Sequence, residues 1–120
     1  MGDRGQVHIV DEDVWLYTHW GASELVDDVK AALAKKWRWS DPEYLARIIF
    51  CQMLHGDLDG ETGYGIGREK HGDVWRVVEI NCEKQTVTVK DNEDYEDKKV
   101  SGPVSFEAFV DDYTREVALA

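Results

Sequence analysis

Long apolar runs are missing from this sequence. It contains no stretch of about 18 apolar residues, the length that a membrane-spanning helix needs, and its first residues, MGDRGQVHIV, lack the apolar centre of a signal peptide. We therefore expect a soluble, cytoplasmic protein with no membrane partner. Cysteine is also scarce: Cys51 and Cys82 are the only two and form no CxxC pair, which argues against a disulfide framework or a zinc ribbon.

Basic residues are few as well. Fourteen lysines and arginines stand against 25 acids, so the formal net charge is −11. A surface of this sign repels phosphate backbones and attracts basic protein surfaces or cations. The charge therefore predicts a basic protein partner and no direct nucleic-acid binding, with solubility alone as the competing explanation.

The motifs of nucleophilic catalysis are absent from the sequence. It has no GxSxG element, no cysteine and histidine at a known catalytic spacing, and four histidines too scattered for a zinc site. The sequence thus favours a binding protein over an enzyme and indicates no cofactor.

What is present predicts one α+β domain over residues 1–120. Hydrophobic residues make up 42% of the chain, which is enough for a buried core. Apolar periodicity indicates strands and helices in the order β-β-α-α-β-β-β-α, and hairpins alternating with helices indicate an antiparallel sheet of about five strands with three helices. The predicted strands are 7–10, 14–20, the GYGIG run, 74–80 and 86–90.

The predicted helices have recognisable starts. Ser23 caps the first, which runs to about Lys36, and Ser105 caps the last. The second begins either with Ser40 as cap and Glu43 closing a capping box, or with Asp41 as cap and Pro42 as the first helical residue.

The segment LYTHWGASEL contains the main candidate site. Alternation along the second strand places Trp15, Tyr17 and His19 on one face, and His19 and Trp20 stand where the strand meets a helix. Free helix N–H groups after Ser23 could hold an anion beside these two side chains. The alternative is structural: Trp20 packs against Trp37 or Trp39, and His19 bonds a backbone carbonyl.

Two further residues complete this candidate ligand site. Arg47, in the second helix, would contact an anion, and Tyr64, in the glycine-rich strand, would line the pocket. The glycines of GYGIG lack the strand-before, helix-after context of a phosphate loop, so they indicate close approach of another backbone or of a ligand.

Two acidic segments are weaker candidates. Asp57, Asp59 and Glu61 alternate as in calcium loops, but Thr62 and Arg68 stand where an EF-hand needs glycine and glutamate, so only a looser divalent-cation site is predicted. The acidic tract, predicted as a solvated loop, could mimic phosphate charge against a basic partner. Its members are Asp91, Glu93, Asp94, Glu96 and Asp97.

Several motifs together resemble a family of small proteins of bacteria, archaea and phages: MGDRG, LYTHWGASEL, YLARIIF, TGYGIG, QTVTV and SFEAFV. Family members usually have a second glycine where this chain has Ala22. The resemblance implies a shared single-domain fold, a site near His19, Trp20, Arg47 and Tyr64, and, through the phage and mobile-element association, a host-directed binding role.

These observations predict a small acidic binding protein that engages a basic, nucleic-acid-binding host protein as an inhibitor or charge mimic. The alternative is a small enzyme or ligand-binding domain with an anion or divalent-cation site near His19, Arg47 and the loop from Asp57 to Glu61. A structural, self-associating subunit is a third hypothesis, which an exposed apolar patch would indicate.

Overall fold

The computed structural model describes the backbone at residues 3–93 and 96–111, and the side chains at all of these except 93, 96 and 97. None of the helices described there is long and apolar enough to cross a lipid bilayer. The strands are β1 (Gly5–Ile9), β2 (Val14–Thr18), β3 (Tyr64–Gly67), β4 (Arg76–Asn81), β5 (Thr86–Glu93) and β6 (Glu96–Ser105). The helices are α1 (Leu25–Ala34), α2 (Pro42–Met53) and α3, which begins at residue 106 and is described as far as residue 111.

All six strands form one sheet in the order β3-β2-β1-β4-β5-β6. Neighbouring strands are antiparallel except β1 and β4, which run parallel with Gly5 paired to Arg76 and Ile9 to Ile80. The α+β class is confirmed, and the order of elements is confirmed in outline. The purely antiparallel, five-stranded sheet is wrong, because the long connection from β1 to β4 returns the chain in the same direction.

The strand missing from the prediction is β6. Residues 91–99 were expected to form an acidic loop, but β5 continues to Glu93 and β6 begins at Glu96. Asp91 and Glu93 therefore lie in a strand, as do Glu96 and Asp97, and Asp94 lies outside the described residues. Pairing places Asp91 opposite Lys98, and cross-strand pairs of opposite charge favour a strand. The prediction failed because charge density was read without these partners.

The core lies between one face of the sheet and the helices. Alternate strand residues point into it, and they meet the apolar stripes of α1 and α2 and the first residue of α3. Burying each large apolar side chain contributes roughly 1.5–3 kcal/mol to folding. Fully buried members are Val7, Ile9, Leu25, Val29, Leu33, Leu45, Ile49, Val78, Ile80 and Phe106.

The helix starts agree with the prediction in two of three cases. Asp41 has an extended backbone and Pro42 is the first residue of α2, which decides between the two alternatives for that helix. Ser105 Oγ accepts a hydrogen bond from the Ala108 N–H at 3.1 Å. Ser23 does not cap α1: it lies in a 3₁₀ turn, Ala22–Glu24, and its hydroxyl donates to the Asp3 carboxylate, which competes for it.

Candidate functional site

The face of the sheet opposite the helices carries a row of aromatic rings, which we call the aromatic face: His8, Trp15, Tyr17, His19 and His71. Strand pairing sets His8 directly across from Trp15, and their rings stack with centroids 3.8 Å apart. His8 Nε2 is also 2.9 Å from Asp13 Oδ1, in the turn after β1. These contacts fix the orientation of both rings.

Tyr17 connects the two other histidines of the aromatic face. Its hydroxyl is 3.1 Å from His19 Nδ1, and the His71 ring stacks on the Tyr17 ring with centroids 4.4 Å apart. Burial and the nearby Asp73 carboxylate raise the pKa of Tyr17 above its ordinary value, so the phenol remains protonated at neutral pH. The predicted common face of Tyr17 and His19 agrees with this hydrogen bond.

Buried Gln6 holds the loop that supplies His71. The Gln6 side chain is 1% exposed, and its amide accepts a hydrogen bond from the His71 N–H at 2.9 Å and donates one to the Glu69 carbonyl at 3.1 Å. Sequence reasoning missed both Gln6 and His71. By strand alternation Gln6 should face solvent. Nothing in the residues around it indicates that its partners are in a loop more than sixty positions away.

Trp20 and Tyr64 form a corner next to His19. The Trp20 ring meets the His19 ring edge-on at 5.8 Å and the Tyr64 ring at 6.2 Å, and it remains 52% exposed. It lies over Gly63, where a Cβ atom would come within 2.2 Å of Trp20 Cζ3. The structure therefore brings together three of the five predicted ligand-site residues. The structural alternative had Trp20 packing against Trp37 or Trp39. The Trp20 ring contacts neither of them, and Trp39 packs on Phe106 instead.

The other two predicted ligand-site residues lie elsewhere. Ser23 is bonded to Asp3, whose pKa is lowered by hydrogen bonds from Ser23 and Trp75 that outweigh the effect of burial. Arg47 is exposed on α2, on the helical side of the sheet, with its Nη1 atom 3.8 Å from Cys51 Sγ. The described contacts of Ser23 and Arg47 therefore join neither residue to His19.

A cavity of about 670 Å³ lies between α1, the β4–β6 strands and α3. Ser23, Lys30, Arg76 and Phe109 are among its lining residues. Two of its polar groups are already engaged, because Ser23 is bonded to Asp3 and Arg76 forms a two-point ion pair with Asp91 at 2.7 and 2.9 Å.

The acidic candidates separate in the structure. Within residues 3–93 and 96–111, no three His, Cys, Asp or Glu side chains are grouped to hold a metal, so Asp57, Asp59 and Glu61 do not form a cation cluster. Asp91 forms an ion pair with Arg76 of the neighbouring strand. The side chains of Glu93, Asp94, Glu96 and Asp97 lie outside the described residues, although strand pairing places Glu93 opposite Glu96.

The two thiols differ in environment and remain separate. Cys51 is exposed and Cys82 is buried, and both are free. Burial and the neighbouring Asp11 carboxylate raise the pKa of Cys82 to about 12. Cys82 is therefore a neutral core thiol rather than a nucleophile.

Asp28, on α1, has the most perturbed carboxyl group among those described. Burial, with Glu24 and Asp27 close by, raises its pKa from 3.8 to about 6, and His55 partly offsets this shift. The folded state therefore binds a proton more tightly than the unfolded state. The free energy of unfolding falls as the pH rises from about 4 to about 6, and this contribution does not change further above that range.

We predict that Asp28→Asn stabilises the protein by about 1 kcal/mol at pH 7, a figure reduced for partial exposure and solvent screening. The gain should disappear at about pH 3, below both the reference pKa of 3.8 and the folded-state pKa of about 6, because Asp28 is then protonated in the folded and the unfolded state. Urea unfolding at both pH values measures it. Asp27→Asn removes the same charge from an exposed position one residue earlier and should change stability by less than about 0.5 kcal/mol; equal effects of the two substitutions would contradict the assignment.

The fold and this surface define a two-layer α+β protein whose sheet has helices on one face and an aromatic face on the other. The chain matches no family model, no curated protein and no solved structure. The features of the chain that bear on its function are therefore the geometry of this surface and the net charge.

Proposed function

We propose that this chain is an acidic, non-enzymatic binding protein that engages a basic segment of another protein through the aromatic face. The observation that carries the proposal is the aromatic face itself, a row of stacked rings on the side of the sheet away from the helices. Its Trp15 and Tyr17 rings can attract lysine and arginine side chains, because the faces of tryptophan and tyrosine rings carry partial negative charge.

The charge of the chain supports the same class of partner. Even if every lysine and arginine paired with one carboxylate, the excess of acids would leave eleven carboxylates without a basic side chain, since the sequence has 25 acids and 14 bases. This surplus favours approach of a positively charged partner and repels nucleic acid. A basic protein that itself binds nucleic acid fits this description, and the chain would then act as an inhibitor or charge mimic.

The small-ligand alternative has less support. Its corner of His19, Trp20 and Tyr64 is assembled, but the groups expected to hold an anion have other partners. Arg47 Nη1 lies 3.8 Å from Cys51 Sγ, and the Ser23 N–H donates to Asp3. The same rings serve equally well as part of a protein-binding surface.

The proposal is tested with a short synthetic peptide of alternating threonine and lysine, titrated into the protein and followed by tryptophan fluorescence. We expect binding that weakens as salt is raised, and an acidic threonine–glutamate peptide should not bind. Trp15→Leu should weaken binding about tenfold, within the range of a desolvated cation–π contact. Trp37→Leu, an exposed tryptophan away from the aromatic face, is the matched control; equal binding of both peptides, or equal loss in both variants, would exclude the proposal.

A further inference from the structure

The two edges of the sheet differ in how they are protected. The β6 edge carries Glu96, Asp97, Lys98, Lys99 and Pro103, the charged residues and proline that normally prevent another strand from pairing. The β3 edge, Tyr-Gly-Ile-Gly, has neither a charge nor a proline, and Ile66 is 66% exposed. An unprotected edge of this kind is available to an incoming strand.

The pairing of β3 with β2 shows which backbone groups face this edge. His19 N–H donates to the Gly63 carbonyl at 2.7 Å, so this pair is a hydrogen-bonded one, and the pairs alternate along an antiparallel ladder. By the register of the two strands, Gly65 and Gly67 are then the β3 residues whose backbone groups hydrogen-bond to β2. The N–H and carbonyl groups of Tyr64 and Ile66 therefore point outward, away from the sheet.

The glycines of β3 also leave room beside the aromatic face. Gly65 pairs with Tyr17 and Gly67 with Trp15, and no atom lies within 4 Å of where either glycine would carry a Cβ. A strand added beside β3 would lie about 5 Å further out. Long side chains opposite the two glycines could extend over the bare backbone towards the Trp15 and Tyr17 rings.

The charges around β3 select the chemistry of the added strand. Residues 57–70 carry four acids, Asp57, Asp59, Glu61 and Glu69, against two bases, Arg68 and Lys70. Three features point to one kind of ligand: the unprotected β3 edge, the open space beside Gly65 and Gly67, and the acidic charges near them. From them we infer that β3 binds an extended basic peptide segment by strand addition. Its lysine or arginine side chains lie opposite Gly65 and Gly67, and the residues between them hydrogen-bond to Tyr64 and Ile66.

This inference rests on the proposed function and specifies how it is carried out. In an antiparallel ladder the residues that hydrogen-bond to Tyr64 and Ile66 are those directly opposite them, and their side chains lie on the helical side. In the threonine–lysine peptide these residues are the threonines. Methylating the threonine amides should then reduce affinity at least about tenfold, whereas methylating the lysine amides should leave it nearly unchanged.

A substitution in the protein gives an independent test. Ile66→Pro removes the outward N–H without removing a hydrogen bond to β2. An edge strand tolerates proline at such a position, because the missing N–H faces away from the sheet. It should weaken binding of the unmethylated peptide about tenfold, whereas Ile66→Thr, which keeps the N–H, should bind nearly as the wild type does. Thermal unfolding verifies that both variants are folded, and amide exchange at Tyr64 and Ile66 should slow when peptide is added.

The outcomes separate the two proposals. Salt-sensitive binding that neither methylation nor Ile66→Pro affects would overturn strand addition and leave the proposed function standing. Loss on methylating the lysine amides instead would overturn the placement of the basic side chains over the glycines. If amide hydrogen exchange at Ile66 slows as the protein concentration is raised without peptide, the edge pairs with a second copy of the chain, and the peptide assignment is overturned. If the peptide does not bind at all, both proposals are overturned.

Discussion

Replacement of Phe106 by alanine is expected to lower the free energy of unfolding by about 3–5 kcal/mol, the usual cost of deleting a buried aromatic side chain. Phe106 is fully buried and is among the largest side chains of the core. Its ring meets the Trp39 ring edge-on at 5.3 Å, and its N–H donates to the Gln85 carbonyl at 2.8 Å. It therefore joins α3 both to the segment before α2 and to the β4–β5 turn.

The measurement is urea unfolding followed by circular dichroism, which does not depend on the tryptophan signal. Trp37→Ala is the control, because it deletes a larger aromatic side chain that is 57% exposed, and it should cost less than about 1 kcal/mol. A Phe106→Ala effect as small as that of the control would show that α3 does not anchor the core at this residue.

Substitution of Gly63 by alanine is expected to destabilise the protein by about 2–4 kcal/mol, since two separate costs add. The backbone of Gly63 has φ of +105°, a conformation that alanine adopts only with strain. The new Cβ would also lie 2.2 Å from Trp20 Cζ3 and 2.7 Å from two other atoms of that ring. Trp20 must then move away from Tyr64.

Gly65→Ala provides the matched control two residues further on. No atom lies within 4 Å of the position of its Cβ, so the change should be within about 0.5 kcal/mol. Urea unfolding measures stability in both variants, and the NMR signals of the Trp20 and Tyr64 rings report their separation. Equal stability of the two variants would refute the close approach at Gly63.

Local signals predicted the helices and most strands of this fold. The apolar stripes of α1 and α2, Pro42 after Asp41, and the cap at Ser105 act within a few residues of one another, so the sequence displays them directly. The cap at Ser23 failed because its hydroxyl is engaged by Asp3, a partner twenty positions away. Strand β6 was missed because its pairing with β5, which sets Lys98 opposite Asp91, is not visible in the charge density of the segment itself.

The candidate site was predictable only where strand alternation determines it. Trp15, Tyr17 and His19 could be placed on one face from their spacing. The same alternation places Trp20 on the other face, and only its position next to His19 in the chain indicated that the two side chains lie close together. The stacking of His71 on Tyr17 could not be predicted, because it depends on the loop that Gln6 holds. The contact of Arg47 with Cys51 rather than with an anion site could not be predicted either, because periodicity leaves open which face of the sheet α2 covers.

The parallel pairing of β1 with β4 also constrains how the protein is made. Because β1 lies inside the sheet, its inner edge stays unpaired until Arg76–Asn81 has left the ribosome, well past the middle of the chain. Contacts so distant in sequence slow folding and expose a strand edge in the meantime. We therefore expect nascent chains that end before β4 to depend on chaperones, and chains that extend beyond β5 to protect β1 amides.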